Sequence, residues 1–338
     1  MVRPAQSVTM RERRIVIVAF EGLQPLDVVG PHEVFAGAAQ AAARLGRPGG
    51  YVVTVVSRHG GPVRADSGLQ LGTVALPDDD RLDTLILAGG PGVHAAADDA
   101  ALVAWIRLAA ARSRRVATVC SGTFLAAAAG LLKGRRVTTH WARATELAEA
   151  HGDLHVDPDP IYVRDGKYWS SAGVTAGIDL SLALVQDDFG VEVAQTVARW
   201  LVMFLHRPGG QTQFASPVWV PRAERSTVRA VQTLVEAAPG GDHRVPNLAA
   251  AAAMSVRHFT RVFSAEVGES PSRFVERTRL EAARVELETT GDTLDVVAAR
   301  CGLGSAETLR RVFQRHLGVS PDAYRRRFRT VPAERTPA

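Results

Sequence analysis

The chain has 338 residues, 46% hydrophobic and 22% charged, with a formal net charge of +5 and two cysteines, Cys120 and Cys301. Such a chain has room for two domains with cores of their own, and two cysteines in separate regions exclude a disulfide framework. The opening "MVRPAQSVTMRERR" lacks the apolar run of a signal peptide, and "TFLAAAAGLL" is too short to span a bilayer, so a cytoplasmic chain with no membrane partner is expected.

The first two hundred residues alternate strand and helix patterns. "RIVIVAF" (14–20), "YVVTVVS" (51–57), "TLILAGG" (84–90) and "RVATVC" (115–120) read as buried strands. Between them, "PLDVVGPHEVFAGAAQAAARLG" and "ALVAWIRLAAAR" read as helices. Strands separated by helices predict right-handed βαβ units and an α/β parallel sheet covered on both faces. Ligands of such sheets bind beyond the carboxyl ends of the strands, a rim that collects Gly89, Gly90, Pro91, Cys120 and the loop after Phe20. "DPIYVRDGKYWSSAG" predicts a hairpin turning at Asp-Gly, followed by two helices. Residues 207–226, rich in Pro and Gly, read as a linker after a first domain spanning 14–206. From there to about Phe328 every pattern is helical, and a short tail follows.

The C-terminal third repeats itself. "FTRVFSAEVGESPSRF" (259–274) and "LRRVFQRHLGVSPDAY" (309–324) share Arg, Val, Phe, Gly, Ser and Pro at an offset of 50. Upstream, "LAAAAAMS" matches "VAARCGLG" at an offset one smaller, so the slip falls in a turn. Each copy predicts a short Ala-rich helix, a tight turn and a second helix capped by Ser255 or Ser305, a helix-turn-helix. One seam of each second helix is apolar: Phe259, Phe263 and Val267, then Leu309, Phe313 and Leu317. The other face carries Arg257, His258, Thr260 and Arg261, then Glu307, Thr308, Arg310, Arg311 and Arg315. These side chains suit base edges and phosphates when a helix lies in a major groove. Charge agrees: from Ser226 onward there are 17 Arg, no Lys and 13 acidic residues. "VAARCGLGSAETLRRVFQRHLGVSPDAYRRRF" resembles the second helix-turn-helix of the AraC/XylS regulators, with Leu303 where that family usually has Phe. The resemblance covers 227–328. It implies an all-α double helix-turn-helix, a linking helix, and double-stranded operator DNA as partner.

Cys120 ends a strand and a Ser-Gly pair follows it, with His140 further on. A helix N-terminus there favours thiolate, and the N–H groups of Ser121 and Gly122 suit an oxyanion. The segments "PLDVVGPHEVF", "LILAGGPG", "VCSGTFLAAAAGLL", "TTHW" and "SAGVTAGIDL" resemble the ThiJ/PfpI, class I glutamine amidotransferase-like fold, of flavodoxin-like architecture. The resemblance implies a cysteine on a sharp strand-to-helix turn, an acid on the first helix that Glu33 matches, and His140 near the cysteine. Amidotransferases need a His-x-Glu pair, but Trp141 and Ala142 follow His140. Peptidase-like members carry His after the cysteine, where Ser121 stands. The isocyanide hydratase branch has a similar Cys-Thr-Gly turn, but lacks a DNA-binding tail and has Asp where Glu33 stands.

His59, His151 and His155 show no metal-ligand spacing with either cysteine, and "LAGGPG" is not a dinucleotide fingerprint, so neither metal nor cofactor is expected. The two domains in this order, with "RWLVMFLHRPGGQTQF" between them, resemble AraC-family regulators with an amidotransferase-like N-terminus. That implies a homodimeric regulator, not an enzyme. Its small-molecule effector, nitrogenous or amino-acid-like by family analogy, sits among Cys120, Ser121, Gly122, Gly90, Glu33 and His140. Two alternatives stay open: a bifunctional protein with Cys120-dependent turnover, and a thiol redox sensor oxidised to sulfenic acid.

Overall fold

The computed structural model describes residues 12–78, 82–203, 205, 210–211 and 223–328. It divides into two units, Met1–Thr212 and Gln213–Ala338.

In the first unit, β1 (Glu12–Val18), α1 (Leu26–Arg44) and β2 (Gly50–Ser57) form the opening βαβ step. A hairpin follows, β3 (Gly61–Arg64) and β4 (Gln70–Ala75), where the sequence pattern had suggested no strands. Next come β5 (Thr84–Leu87), α2 (Val93–Asp98), α3 (Ala100–Arg112), β6 (Arg115–Val119) and α4 (Gly122–Ala128). Short strands β7 (Arg136–Val137) and β8 (His155–Val156) flank α5 (Ala144–Ala150). The unit continues with β9 (Tyr162–Asp165), β10 (Tyr168–Ser171), α6 (Ala176–Phe189) and α7 (Val191–Trp200).

Among the described residues the main sheet has the order β3-β4-β2-β1-β5-β6-β10-β9. Pairing is parallel from β4 to β10, and the hairpins β3–β4 and β9–β10 add antiparallel edges. The central strands β1, β5 and β6 are buried on both faces, as unbroken apolar runs require in a covered parallel sheet. Their carboxyl ends share one rim, where Ala19, Ala88 and Cys120 follow directly.

At the opposite, amino end of these strands lies a buried ionic cluster. Asp188 near the end of α6 pairs with Arg115, and accepts from Tyr51 Oη at 2.6 Å and Arg114 Nη2 at 2.7 Å. Arg13 Nε lies 3.5 Å away. Buried charges persist only when paired this fully, and the cluster ties α6 to β1, β2 and β6.

The second unit is helical among the described residues: α8 (Ser226–Ala237), α9 (Val245–Ala251), α10 (Val256–Val267), α11 (Pro271–Thr289), α12 (Leu294–Arg300), α13 (Ala306–Leu317) and α14 (Pro321–Phe328). The sequence repeat is realised residue by residue. Ser255 and Ser305 accept from the third residue of their helices, His258 and Thr308. Gly268 and Gly318 end α10 and α13 in the left-handed conformation. Ser270 and Ser320 cap the helices that follow, which begin with Pro271 and Pro321. Each copy has its own core. Phe259, Phe263 and Phe274 pack with Val228 and Val231 in the first. Leu309, Phe313 and Tyr324 pack with Leu287 and Leu303 in the second. Cys301 fills this second core.

Candidate functional sites: the Cys120 turn and the paired helices

Cys120 follows β6 with φ of 56°, a left-handed conformation that costs a non-glycine residue energy and is held only where its surroundings enforce it. The surroundings are explicit. Cys120 N donates to Ala172 O at 3.1 Å, and Thr139 Oγ1 donates to Cys120 O at 2.8 Å. Ser121 Oγ accepts from Gly90 N at 2.9 Å and lies 3.2 Å from Gly90 O, so the two rim loops are stitched together. Gly90, at φ 142°, leaves no room for a side chain: a Cβ would run into the Leu23–Gln24 backbone. Gly122 is similarly pressed against Leu87 O.

The acid beside the thiol is Asp27, not Glu33. Asp27 is fully buried on α1, its Oδ2 accepts from Gly89 N at 3.0 Å, and its charge bears on Cys120. Glu33, expected there, has a 61% exposed side chain that pairs with His32 at 3.6 Å. The physical reason is helical phase. Six residues at about 100° each leave Glu33 some 120° round the helix from Asp27, facing water. Burial raises the Asp27 carboxyl to about 7, against hydrogen bonds from Gly89, Val174 and Cys120 that favour its charged form. Oδ1 of Asp27 has no hydrogen-bond partner among the described residues.

Cys120 is 8% exposed. Burial first, and the Asp27 charge second, push its thiol up to about 12. The hydrogen bonds it receives from Ser121 and the Val174 backbone favour thiolate but are outweighed. The expected helix-terminus activation is therefore overridden, and at neutral pH this is a thiol beside a carboxyl. Replacing Glu33 by Asp27 also removes one distinction drawn from the hydratase branch.

His140 follows Thr139, whose hydroxyl holds the Cys120 carbonyl. Its Nδ1 accepts from Ala142 N at 3.0 Å, which leaves the proton of the neutral ring on Nε2. Burial, then Arg143, holds the ring's pKa down. The ring presses on Gly173, in the segment 172–174 that also hydrogen-bonds Cys120. A separate cavity of about 290 Å³ opens between the ends of β1 and β2 and α2, lined by Phe20, Arg58, His59, Pro62, Asp99 and Leu102 among others. Cys120 does not line it.

In the second unit Arg257, His258 and Arg261 are exposed on α10, and Glu307, Arg310, Arg311 and Arg315 on α13. Thr260 and Thr308 are half-buried, and Thr260 Oγ1 is spent on Val256 O at 2.9 Å. Arg261 reaches His258 at 3.2 Å and Arg311 reaches Thr308 at 3.5 Å, weak contacts that leave both guanidiniums at the surface. Arg310 lies 3.7 Å from Glu307. Arg315 differs, because Glu276 on the connecting helix α11 holds it together with His316. Gln314 is also exposed, one turn beyond Arg310 and Arg311 on the same helix. Sequence reasoning passed over it, although its i+3 spacing from Arg311 was visible.

Residues 13–187 match the DJ-1/PfpI family. The chain belongs to that family. Residues 248–327 match a helix-turn-helix domain family, which makes this DJ-1/PfpI protein one with an AraC-type C-terminal unit. It is 40% identical over 277 residues to HTH-type transcriptional regulator Rv1931c of Mycobacterium tuberculosis, covering 74% of this chain and 96% of that one. It is 30% identical over 271 residues to HTH-type transcriptional regulator CdhR of Pseudomonas aeruginosa, covering 79% of each. To isonitrile hydratase of Pseudomonas putida it is 37% identical over 185 residues, 54% of this chain and 75% of that enzyme. Among solved structures, a THiJ/PfpI family protein from Pseudomonas syringae superposes with a TM-score of 0.51 at 29% identity, covering 67% of this chain and 87% of that one. No helix among the described residues is long and apolar enough to cross a membrane.

Proposed function

We propose that this DJ-1/PfpI protein is a transcriptional regulator that binds operator DNA as a homodimer and answers to a small molecule in its first unit. The carrying observation is the doubled helix-turn-helix, in which α10 and α13 have matching Ser caps, matching buried seams and exposed arginines. Two recognition helices joined by α11 present two groove-reading faces, and their cations meet phosphates. The named regulators similar over three quarters of the chain support the same reading. The effector site is proposed at the Cys120 turn, among Gly90, Ser121, Gly122 and His140, with Asp27 in the place expected of Glu33. A carboxyl that titrates near neutral pH, beside a thiol, offers hydrogen bonds to a ligand and a poor nucleophile to a substrate.

The test is operator selection with the purified full chain, followed by gel shift with and without candidate metabolites. Light scattering of the free chain and of the complex reads the dimer. Binding that ignores sequence would refute the regulator. A second reading is favoured by the hydratase similarity: residual hydration of an isonitrile to the N-substituted formamide. Turnover of a small isonitrile by wild type, absent in Cys120→Ser, would establish it. Loss of only the peroxide response in that variant would establish the redox sensor.

A further inference from the structure

Nothing in the proposed function uses Gln211, close to the end of the first unit. Yet Gln211 is 2% exposed. Its Oε1 accepts from Trp141 N at 2.8 Å. Its Nε2 lies 2.9 Å from Thr139 O, 3.0 Å from Thr138 Oγ1 and 3.2 Å from Pro160 O. Its own N–H donates to Asp159 O at 2.6 Å. Gly210 permits this entry, since a Cβ there would collide with the Asp159 carboxylate. A surface connector has no need of such a plug, because loops ordinarily satisfy their polar groups with water.

What Gln211 grips is the back of the Cys120 turn. Thr139, whose carbonyl it holds, supports the Cys120 carbonyl through its hydroxyl at 2.8 Å. His140 sits between the two gripped residues, Thr139 and Trp141, with its ring against the Ala172–Val174 segment. The chain from Cys120 to the end of the first unit is thus two side chains long: Thr139, then Gln211.

We propose that Gln211 is a positioning residue of the sensor site and the joint through which its occupancy reaches the DNA-binding unit. A group lodged at Cys120 displaces Thr139 or His140, the Thr138–Trp141 backbone shifts, and the Gln211 amide loses its fixed partners. Because packed hydrogen-bonded sites switch between discrete arrangements, the Gln211 side chain is then either seated or released. This inference rests on the reading of the chain as a regulator with its sensor at Cys120.

The test uses the full chain and methyl methanethiosulfonate, whose small disulfide adduct on Cys120 stands in for an occupant. The adduct forms by attack of the small thiolate fraction on the reagent's sulfur with loss of methanesulfinate, during prolonged incubation at mildly alkaline pH in a Cys301→Ser background, and peptide mapping confirms its position. Operator affinity is then measured for this parent, Gln211→Ala, Gln211→Glu and Cys120→Ala, each with and without reagent. In the parent the adduct should shift operator affinity at least about fivefold, the low end of typical allosteric coupling. Both Gln211 variants should show that shift without reagent, and the adduct should add nothing further. Gln211→Glu keeps the size of the side chain while setting a carboxylate against three oxygens, so it guards against a merely truncated or unfolded variant; thermal melts verify folding. Cys120→Ala should ignore the reagent, which confines its action to Cys120. Effects of adduct and substitution that simply add, or an adduct with no effect on DNA, would overturn the proposal while leaving the regulator intact. Failure of wild type to prefer any operator would instead refute the underlying reading.

Discussion

The buried carboxyl of Asp27 faces the buried thiol of Cys120, and its charge joins desolvation in keeping that thiol protonated. The pair gives the proposed sensor site a physical reason to be a weak nucleophile. The turn supplies strain, N–H groups and position, but a thiol held near 12 is almost wholly un-ionised at neutral pH.

Alkylation tests this directly. In a Cys301→Ser background, iodoacetamide should modify Cys120 far more slowly at pH 7.5 than it modifies a free thiol. Asp27→Asn removes the repelling charge and should accelerate the reaction on the order of tenfold, about one pKa unit. Mass-spectrometric rates that match in the two proteins would show that Asp27 exerts no charge effect on the thiol.

Stability should carry the same signature. The Asp27 pKa is raised in the folded chain, from 3.8 to about 7. The folded state therefore keeps a proton that the unfolded chain has released, and stability falls as pH rises from about 4 to 7, then levels off. The loss at neutral pH is at most on the order of 4 kcal/mol. Melting of the first unit across this window should slope downward in wild type relative to Asp27→Asn. Parallel curves would mean that Asp27 ionises normally.

At the other end of the sheet, Asp188→Ala should leave the buried Arg115 guanidinium with only the more distant Asp187 carboxylate, at 3.5 Å, and cost about 3–5 kcal/mol. The replacement of both partners, Arg115→Met with Asp188→Leu, should recover much of that loss, because the desolvated charge is then gone. Urea titration of the three proteins separates the cases. A double variant as unstable as Asp188→Ala would point to lost packing.

The two turns of the repeat offer an internal comparison. Ala253 has φ of 54° where the second copy has Gly302 at 74°. Ala253→Gly should remove left-handed strain of about 1–2 kcal/mol against a chain-entropy cost of about 0.5–1 kcal/mol, a small net gain. Gly302→Ala should lose more than that, since its Cβ would also meet Arg279 Nε at 2.9 Å. Thermal melts that rank these two substitutions the other way would contradict the turn geometry.

The legible parts of this molecule are those where one residue type meets one local demand. Ser255, Ser305, Gly268 and Gly318 mark helix ends because only side-chain acceptors and left-handed residues serve there. Apolar runs marked β1, β2, β5 and β6 for the same reason. The β3–β4 hairpin was not legible, because its residues are largely exposed and give no clean alternation. Asp27 and Glu33 are both acids on one helix, and motif matching alone favoured the wrong one. The phase of α1 was the available signal: Asp27, Val28, Pro31, Val34, Phe35 and Ala38 share the buried face, and Glu33 does not. Gln211 gave no local sign at all, since its partners lie some fifty to seventy residues away in sequence.

The DNA-facing residues separate by what each is free to do. Arg257, Arg261 and Arg311 are exposed, and the contacts of Arg261 to His258 and of Arg311 to Thr308 are weak, so these side chains can reach phosphates and bases. Arg315 is already engaged by Glu276. On a selected operator, alanine at Arg257, Arg261 or Arg311 should each cost about 1–3 kcal/mol of binding where the side chain reads a base, with preference relaxed at one position. Where the contact is to phosphate, the loss should be uniform over sequences and the salt slope should fall by about 1. Arg315→Ala should cost less than any of these, because an existing ion pair must be broken before the arginine can serve the DNA. Phe313→Ala probes the opposite face. Its ring is fully buried against Tyr324, so its loss should take about 3–5 kcal/mol from folding and abolish binding to every sequence alike. Competition assays over operator variants, with melts alongside, distinguish these outcomes. An Arg315→Ala penalty larger than that of Arg311→Ala would reverse the assignment of the two residues, and a Phe313→Ala protein that melts normally would reverse the faces of α13.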